Sequence, residues 1–330
     1  MKHFHKKKSL NQLNIDEIEL IQQIHDQTIK NNADNISRTD AYFHFYHLHP
    51  EVLWSFLASM VSRNAGWNMC DLEGNWFPKI IKEQVRKKLF LTYERANWLI
   101  FQDAFPQLLL YQYSTKINRP MFHLLRFFHV SKFMESEWVV FWEERNYKRL
   151  LISQIINEQN IIQKPVIKNP VYKKRVFQSP IFFLQDWFHF SSVIFPTCEG
   201  KLYGTSVNGF KSLSKRIELG KRLADILFDK KLYPAFYEFA LKTVHTGSRY
   251  DYEYYFKNRP NRSTPFLRCT YPVINHKRVF FEDWSKYKRL RRKWLKVDVQ
   301  QKHPIEMTKW YLKKQRQLKK AIYISELIKS

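Results

Sequence analysis

The first half of the chain is dominated by apolar residues at helical spacing. Asn14, followed three residues later by Glu17, is the pattern of a capping box, in which each side chain accepts a hydrogen bond from the other residue's backbone. The isoleucines around it recur every third residue and predict one apolar face of a first helix: Ile15, Ile18, Ile21 and Ile24. Ser37 and Asp40 repeat the capping pattern and predict the start of a second helix. Its expected apolar face is Ala41, Phe45 and Leu48.

The helical pattern continues to about residue 161. Pro50 occupies a first-turn position, where its missing N–H costs nothing, and Gly66 is suited to end the helix that follows. That helix is predicted to bury Leu53, Phe56, Leu57, Met60 and Val61. Further helices are predicted at about 82–101, 105–113, 121–130 and 133–161.

The pattern changes after residue 164. Prolines at 165, 170 and 180 predict a crossing loop over residues 165–180. Residues 181–210 mix aromatic and β-branched residues with turn residues, which leaves both a short hairpin and irregular packed loops open. Helices resume at about 213–229, 234–245, 282–297 and 304–326.

These patterns predict a mainly α, multi-helix globular protein with a small irregular or β-containing segment near residues 171–210. The expected parts are a basic flexible tail (1–13), a helical half (14–164), the crossing loop (165–180) and a helical half with cationic helices (181–330). With 330 residues, the parts are expected to form one compact unit. A hydrophobic content of 44% excludes general disorder.

Three features bear on the compartment. No stretch approaches the roughly 20 apolar residues that a membrane span needs. The basic start of the chain lacks the apolar run of a secretory signal. The cysteines, Cys70, Cys198 and Cys269, are far apart, which excludes a disulfide framework and a cysteine-rich zinc site. We therefore expect a cytoplasmic protein.

The distribution of charged residues is the strongest indication of function in this sequence. The chain carries 56 Lys and Arg against 30 Asp and Glu, a formal net charge of +26. From Lys257 onward there are 21 basic and five acidic residues, so the last quarter of the chain carries most of the excess. Within it, residues 284–296 (WSKYKRLRRKWLK) predict an amphipathic helix with aromatic residues on one arc. The opposite arc is basic: Lys286, Lys288, Arg289, Arg292, Lys293 and Lys296.

The last predicted helix continues this cationic character. Lys309, Lys313, Arg316 and Lys320 recur at three- and four-residue spacing. Lysine and arginine in such stripes suit the phosphate backbone of nucleic acid, because they displace its condensed counterions. Two alternatives stay open. The tryptophans could sit at an anionic membrane surface, or the aromatic arc could simply pack into the core and leave a solvated basic face.

A possible metal site lies in the second predicted helix. Asp40, His44 and His47 project from similar directions, and imidazole with carboxylate is a ligand set for zinc or another divalent ion. The two histidines lack the HExxH spacing, and all three residues fall on the side predicted to be polar. A plain polar face is the competing interpretation, and no cofactor is predicted.

Two further groups are candidates for catalysis. His245 and Arg249 lie in a turn after a helix that could present a cation to a phosphate or carboxylate. Asp186, Glu199 and Lys201 follow the order of an acid and an ExK motif, with which many nucleases hold Mg²⁺ and activate water. For the first group, the competing interpretation is a turn with a purely structural role. For the second group, it is that so short a motif occurs by chance.

Three segments of the chain are distinctive: NISRTDAYFHFYHLHPEVLWSFLASMVSRNAGWNMCDLEG, ERANWLIFQDAFPQLLLYQYS and HTGSRYDYE. They resemble the YppC-like family of uncharacterised bacterial proteins from bacilli and their relatives. The resemblance extends over most of the chain from about Asn35 onward. It implies no activity, ligand or catalytic residue, so nothing functional is carried onto these positions.

The sequence therefore predicts a non-enzymatic protein that binds nucleic acid or another polyanion through its cationic C-terminal quarter. The alternatives are a metal-dependent hydrolase or nuclease-like enzyme, and a peripheral membrane or protein-interaction scaffold. Whether any catalysis occurs stays open at this point.

Overall fold

The computed structural model describes residues 13–63, 68–170, 192–206, 209, 211–287, 290–296 and 306–329, with side chains to 324. This part of the chain is mainly helical. Its first six α-helices are α1 (Ile15–Asn31), α2 (Asn35–Leu48), α3 (Leu53–Ser62), α4 (Glu83–Lys116), α5 (Lys132–Glu144) and α6 (Tyr147–Ile161). Strands β1 (Ser192–Pro196) and β2 (Leu202–Ser206) follow. The later helices are α7 (Leu213–Leu227), α8 (Tyr233–Lys242), α9 (Tyr250–Glu253), α10 (Leu267–Thr270), α11 (Trp284–Tyr287), α12 (Arg292–Leu295) and α13 (Thr308–Lys329).

The predicted capping box at the start of α1 is confirmed, but its predicted apolar face is wrong. Asn14 Oδ1 accepts from the backbone of Glu17, and the Glu17 carboxylate accepts from the backbone of Asn14. Ile15 is 74% exposed and Ile18 is 50% exposed. The buried residues are instead Glu17, Leu20, Ile24 and Thr28. Glu17 is drawn inward because its second oxygen lies 2.8 Å from His123 Nε2.

The second helix begins two residues before the predicted cap. Asp34 is the N-cap of α2, and its Oδ1 accepts from the backbone N–H of Ser37, so Ser37 lies inside the helix. The buried face of α2 is also mixed rather than apolar. It consists of Asn35, Ile36, Arg38, Thr39, Tyr42, Phe45 and Tyr46. The predicted core residue Leu48 is 48% exposed.

Helix boundaries differ from prediction where one residue has special geometry. Pro106 lies inside α4, which runs unbroken over residues predicted to form two helices. Burial of the helix against α1 and α6 offsets the lost backbone hydrogen bond, a cost of roughly 3 kcal/mol. Conversely, Arg145 adopts a left-handed φ of 53°, which ends α5 and divides the predicted helix at 133–161 in two. The predicted helix at 121–130 is a 3₁₀ helix, Phe122–Phe128.

For residues 181–210, the sequence left a short hairpin and irregular loops as alternatives, and the described part of this segment forms a hairpin. β1 and β2 form an antiparallel hairpin in which Ser192 pairs with Ser206 and Pro196 with Leu202. Gly204 is needed there, because a Cβ atom would lie 2.1 Å from the carbonyl oxygen of Val193. The hairpin also ties down the C-terminal helix, since the backbone N–H of Met307 donates to the carbonyl of Leu202. Of the crossing loop predicted at 165–180, residues 165–170 are described, and residues 171–180 lie outside the described part of the chain.

The main hydrophobic cluster draws residues from most of the described chain. It includes Trp54 of α3, Trp138 of α5, Phe236 of α8 and Tyr311 of α13. A smaller cluster contains Met69, Cys70 and Leu267. In the described residues, no helix is both long and apolar enough to cross a membrane.

Candidate anion-binding residues and buried polar clusters

The predicted continuous cationic helix at 282–297 is wrong. Residues 284–287 and 292–295 form two single turns, α11 and α12, and Arg291 between them is extended with φ −82° and ψ 122°. The helical wheel that separated aromatic from basic residues therefore does not apply. Each turn packs separately, α11 against α5 and α12 against α6 and α7.

The tryptophans of this segment anchor it to the protein interior. Trp294 is 4% exposed, and its indole N–H donates to Ser214 Oγ at 3.1 Å. The indole N–H of Trp284 donates to Asn157 Oδ1 at 2.9 Å. In contrast, Tyr287 is 79% exposed. Anchored indoles fix the backbone from which the neighbouring basic side chains project.

Apart from Lys320, the two cationic stripes comprise nine predicted anion-binding residues. Seven of these nine are described, and all seven are exposed. We call them the C-terminal cations: Lys286, Arg292, Lys293, Lys296, Lys309, Lys313 and Arg316. Among the residues that the structure describes, none of the seven has a carboxylate within 4.0 Å. Lys288 and Arg289 lie outside the described residues.

The cations of α13 are held on a well-anchored helix. Tyr311, Leu318 and Ile322 are buried along its inner side, and Tyr311 belongs to the main hydrophobic cluster. An isolated antiparallel bridge joins Glu306, just before the helix, to Tyr203 of β2. The outer side of α13 therefore presents Lys309, Lys313 and Arg316 to solvent from a fixed helix.

Arg249, a predicted catalytic candidate, is the centre of a buried cluster. Its guanidinium binds both carboxylate oxygens of Asp71, with Nε 2.9 Å from Oδ1, and also donates to the hydroxyls of Tyr252 and Tyr311. Tyr311 in turn donates to Glu253 at 2.6 Å. Burial alone would lower the pKa of Arg249, but these acidic partners outweigh it and hold the pKa above its ordinary value. The residue is thus placed to connect three segments of the fold.

His245 lies next to this cluster and is also buried. Its Nδ1 is 3.5 Å from Asp251 Oδ2, and its Nε2 is 3.4 Å from Asn35 Nδ2. Burial lowers the pKa of His245, although Asp251 acts in the opposite direction. His245 and Arg249 are therefore enclosed by protein groups rather than presented at an open turn.

The structure does not bring Asp40, His44 and His47 together as a metal site. Asp40, His44 and His47 are exposed on the predicted polar side of α2, and His47 Nδ1 is hydrogen-bonded to the Tyr237 hydroxyl at 2.7 Å. Within the described ranges, no three His, Cys, Asp or Glu side chains are grouped closely enough to hold a metal ion.

Of the ExK candidates, Glu199 and Lys201 flank the hairpin turn and pair with each other at 2.9 Å in solvent. Asp186 lies outside the described residues. The arrangement of Asp186 with this pair therefore stays a prediction.

Sequence reasoning missed a second buried cluster between α2 and α4. Arg38 donates to Glu94 at 2.6 Å and to Asn32 Oδ1 at 3.1 Å, although both charged side chains are buried. His276 Nε2 lies 4.0 Å from Glu94 Oε1. Burial, followed by the charges of Arg95 and Arg38, lowers the pKa of His276 to about 4. The sequence did not predict that Arg38 and Glu94 are buried, because charged residues are ordinarily assigned to the surface.

A third buried polar cluster surrounds Asp103 of α4. Its Oδ2 accepts from Gln107 Nε2 at 2.8 Å and from Asn157 Nδ2 at 2.6 Å. Burial raises the pKa of Asp103 to about 6, against the opposing effect of Arg278 and of these two hydrogen bonds. Asn157 also receives the Trp284 indole, so this cluster fixes the start of the cationic segment.

Comparison with known proteins shows the family to which the chain belongs. Residues 30–312 match the model of a family described as "Protein of unknown function (DUF2515)". The chain belongs to this family. It is 48% identical over 311 residues to the uncharacterized protein YppC of Bacillus subtilis (strain 168), an alignment that covers 94% of this chain and 96% of that protein. No solved structure matches significantly.

Membership of DUF2515 agrees with the family resemblance predicted from the sequence. The three segments that carry the resemblance supply Arg38, Asp71, Glu94, Asp103 and Arg249 to the buried clusters. The C-terminal cations lie outside those segments, and two of them, Lys313 and Arg316, lie beyond the end of the DUF2515 match at residue 312. Neither the family nor its relative carries an assigned activity, so function is argued from the side chains of this chain.

Proposed function

We propose that this protein binds polyanions, with nucleic acid as the ligand class, through the C-terminal cations. The observation that carries the proposal is that these seven side chains are exposed and, within the described structure, have no carboxylate partner. Exposed cations without a protein counter-charge are free to contact phosphates and to release the counterions condensed on them.

Some exposed lysines elsewhere in the chain differ from the C-terminal cations in having an acidic partner. Lys87, Lys164 and Lys242 are equally exposed, but each pairs with a glutamate at 2.5–2.7 Å. Other exposed lysines, Lys116, Lys230 and Lys231 among them, also lack a carboxylate within 4.0 Å in the described residues. The C-terminal cations differ in that all seven lack one and that they lie in one stretch of the chain. The formal net charge of +26 adds long-range attraction for any polyanion.

The anchored tryptophans favour nucleic acid over an anionic membrane. An indole that inserts at a membrane interface must be accessible, and Trp294 is buried with its N–H bonded inside the protein. Trp284 likewise donates inward. Tyr287 is an exposed aromatic residue of this segment, but the basic side chains are also accessible, and these suit phosphates along a backbone.

Charge reversal on α13 tests the proposal. The triple variant Lys309→Glu, Lys313→Glu and Arg316→Glu is expected to bind a fluorescent 30-base-pair duplex at least tenfold more weakly at about 50 mM salt, because three phosphate contacts are lost. Fluorescence anisotropy of the full chain measures the affinity.

The matched control is Lys116→Glu, Lys230→Glu and Lys231→Glu, three exposed lysines in other parts of the chain. It changes the net charge equally and is expected to weaken binding less than threefold. Equal losses in the two variants would show that only net charge matters. Binding of both variants to the duplex at wild-type affinity would also overturn the proposal, as would retention by anionic vesicles without any binding to DNA or RNA.

A further inference from the structure

An open cavity of about 690 Å³ lies between the start of α7 and the turn α12. Among the described residues, its polar lining consists of two arginines and two serines, Arg291, Arg292, Ser212 and Ser214, and Trp294 forms part of the apolar wall. A volume of this size is within the range of sites for small ligands. The volume of the cavity is larger than the volume that a single water molecule needs.

The charge of this cavity is unbalanced. No acidic residue is among its described lining residues. Arg291 and Arg292 are exposed, and neither has a carboxylate within 4.0 Å among the described residues. The guanidinium of Arg291 lies 5.6 Å from the centre of the Trp294 ring, which holds it near the wall. Two unbalanced guanidinium groups select an anion, and their planar donors suit the oxygens of a phosphate.

The serines can complete such a site. Ser214 Oγ accepts from the Trp294 indole, and Ser212 Oγ accepts from the backbone of Lys215 as the N-cap of α7. A hydroxyl that accepts one hydrogen bond keeps its own proton for another partner. Both side chains therefore retain a donor for an anionic oxygen. The N-terminus of α7 carries a partial positive charge, which also attracts an anion but less strongly than the two arginines do.

We propose that this cavity binds a phosphate group, with Arg291 and Arg292 supplying the charge and Ser212 and Ser214 supplying hydroxyl donors. The inference rests on the proposed function, and it deepens that function by naming one place where the protein holds a phosphate. A phosphate in free solution presents the same chemistry, so the two sources are separated by experiment.

Isothermal titration of the full chain with inorganic phosphate, and separately with a 12-nucleotide single strand, tests this site. Arg291→Gln with Arg292→Gln is expected to weaken phosphate binding at least tenfold, and Ser214→Ala to weaken it about threefold. The control pair Lys309→Gln with Lys313→Gln is expected to leave phosphate binding within twofold of wild type while weakening binding of the strand. Competition by phosphate that exceeds the effect of sodium chloride at the same ionic strength shows that both occupy the cavity.

The outcomes separate this inference from the proposed function. If the arginine variant binds phosphate as the wild type does, with an unchanged urea midpoint, the cavity is not the phosphate site. The same conclusion follows if the wild type binds the strand but does not bind phosphate at millimolar concentration. If the wild type binds neither ligand, the proposed function fails as well.

Discussion

Replacement of Arg249 by methionine is expected to lower the free energy of unfolding by about 3–5 kcal/mol. The arginine binds both oxygens of the buried Asp71 and donates to two buried tyrosine hydroxyls. Its removal leaves the Asp71 charge in the interior without a cation, and an uncompensated buried charge is far more costly than a lost surface contact. Urea denaturation followed by far-UV circular dichroism measures the difference.

Arg259→Met is the matched control for this experiment. Arg259 is exposed and stacks on the Tyr254 ring at 3.9 Å, so its replacement is expected to cost less than about 1 kcal/mol. If Arg249→Met cost no more than the control, the cluster around Asp71 would not hold its segments together in the way described.

The second large effect concerns the buried pair of Arg38 and Glu94. Arg38→Met is expected to cost about 3–5 kcal/mol, because it strands the Glu94 carboxylate in the interior. Adding Glu94→Met is expected to recover part of this loss, since two apolar side chains of similar length replace two charges. A double-mutant cycle based on urea unfolding measures the coupling between the two sites.

The exposed pair of Lys87 and Glu83 serves as the reference for this cycle. It spans 2.5 Å within one helix, and its coupling is expected to be below about 1 kcal/mol. A coupling at Arg38 and Glu94 no larger than this reference would contradict the interior position of the pair.

These clusters explain why the sequence predicted the helices better than their faces. Local signals define a helix start, as Asn14 and Glu17 do for α1, because both partners lie within one turn. The buried side of α2 depends on Arg38 meeting Glu94, 56 residues away, and no local pattern contains that contact. Periodicity assigns apolar residues to the core, so it predicted Ile15 and Ile18 inside and missed Glu17.

The candidate site was partly predictable for the same reason. Charge and composition identified the C-terminal cations, and the described ones are exposed as expected. The predicted single helix failed because Trp284 and Trp294 bond to different partners, Asn157 and Ser214, which pull the segment into two turns. The cavity beside α12 needs Ser212 and Arg291 together, and only the folded chain brings them together.

The salt dependence of duplex binding by the wild-type chain tests the central claim most directly. If the C-terminal cations neutralise about six phosphates, a plot of log K against log salt concentration is expected to have a slope near −5 between about 50 and 200 mM. A slope close to zero, or no measurable binding at about 50 mM salt, would contradict the account, because exposed cations without carboxylate partners would then not be contacting phosphates.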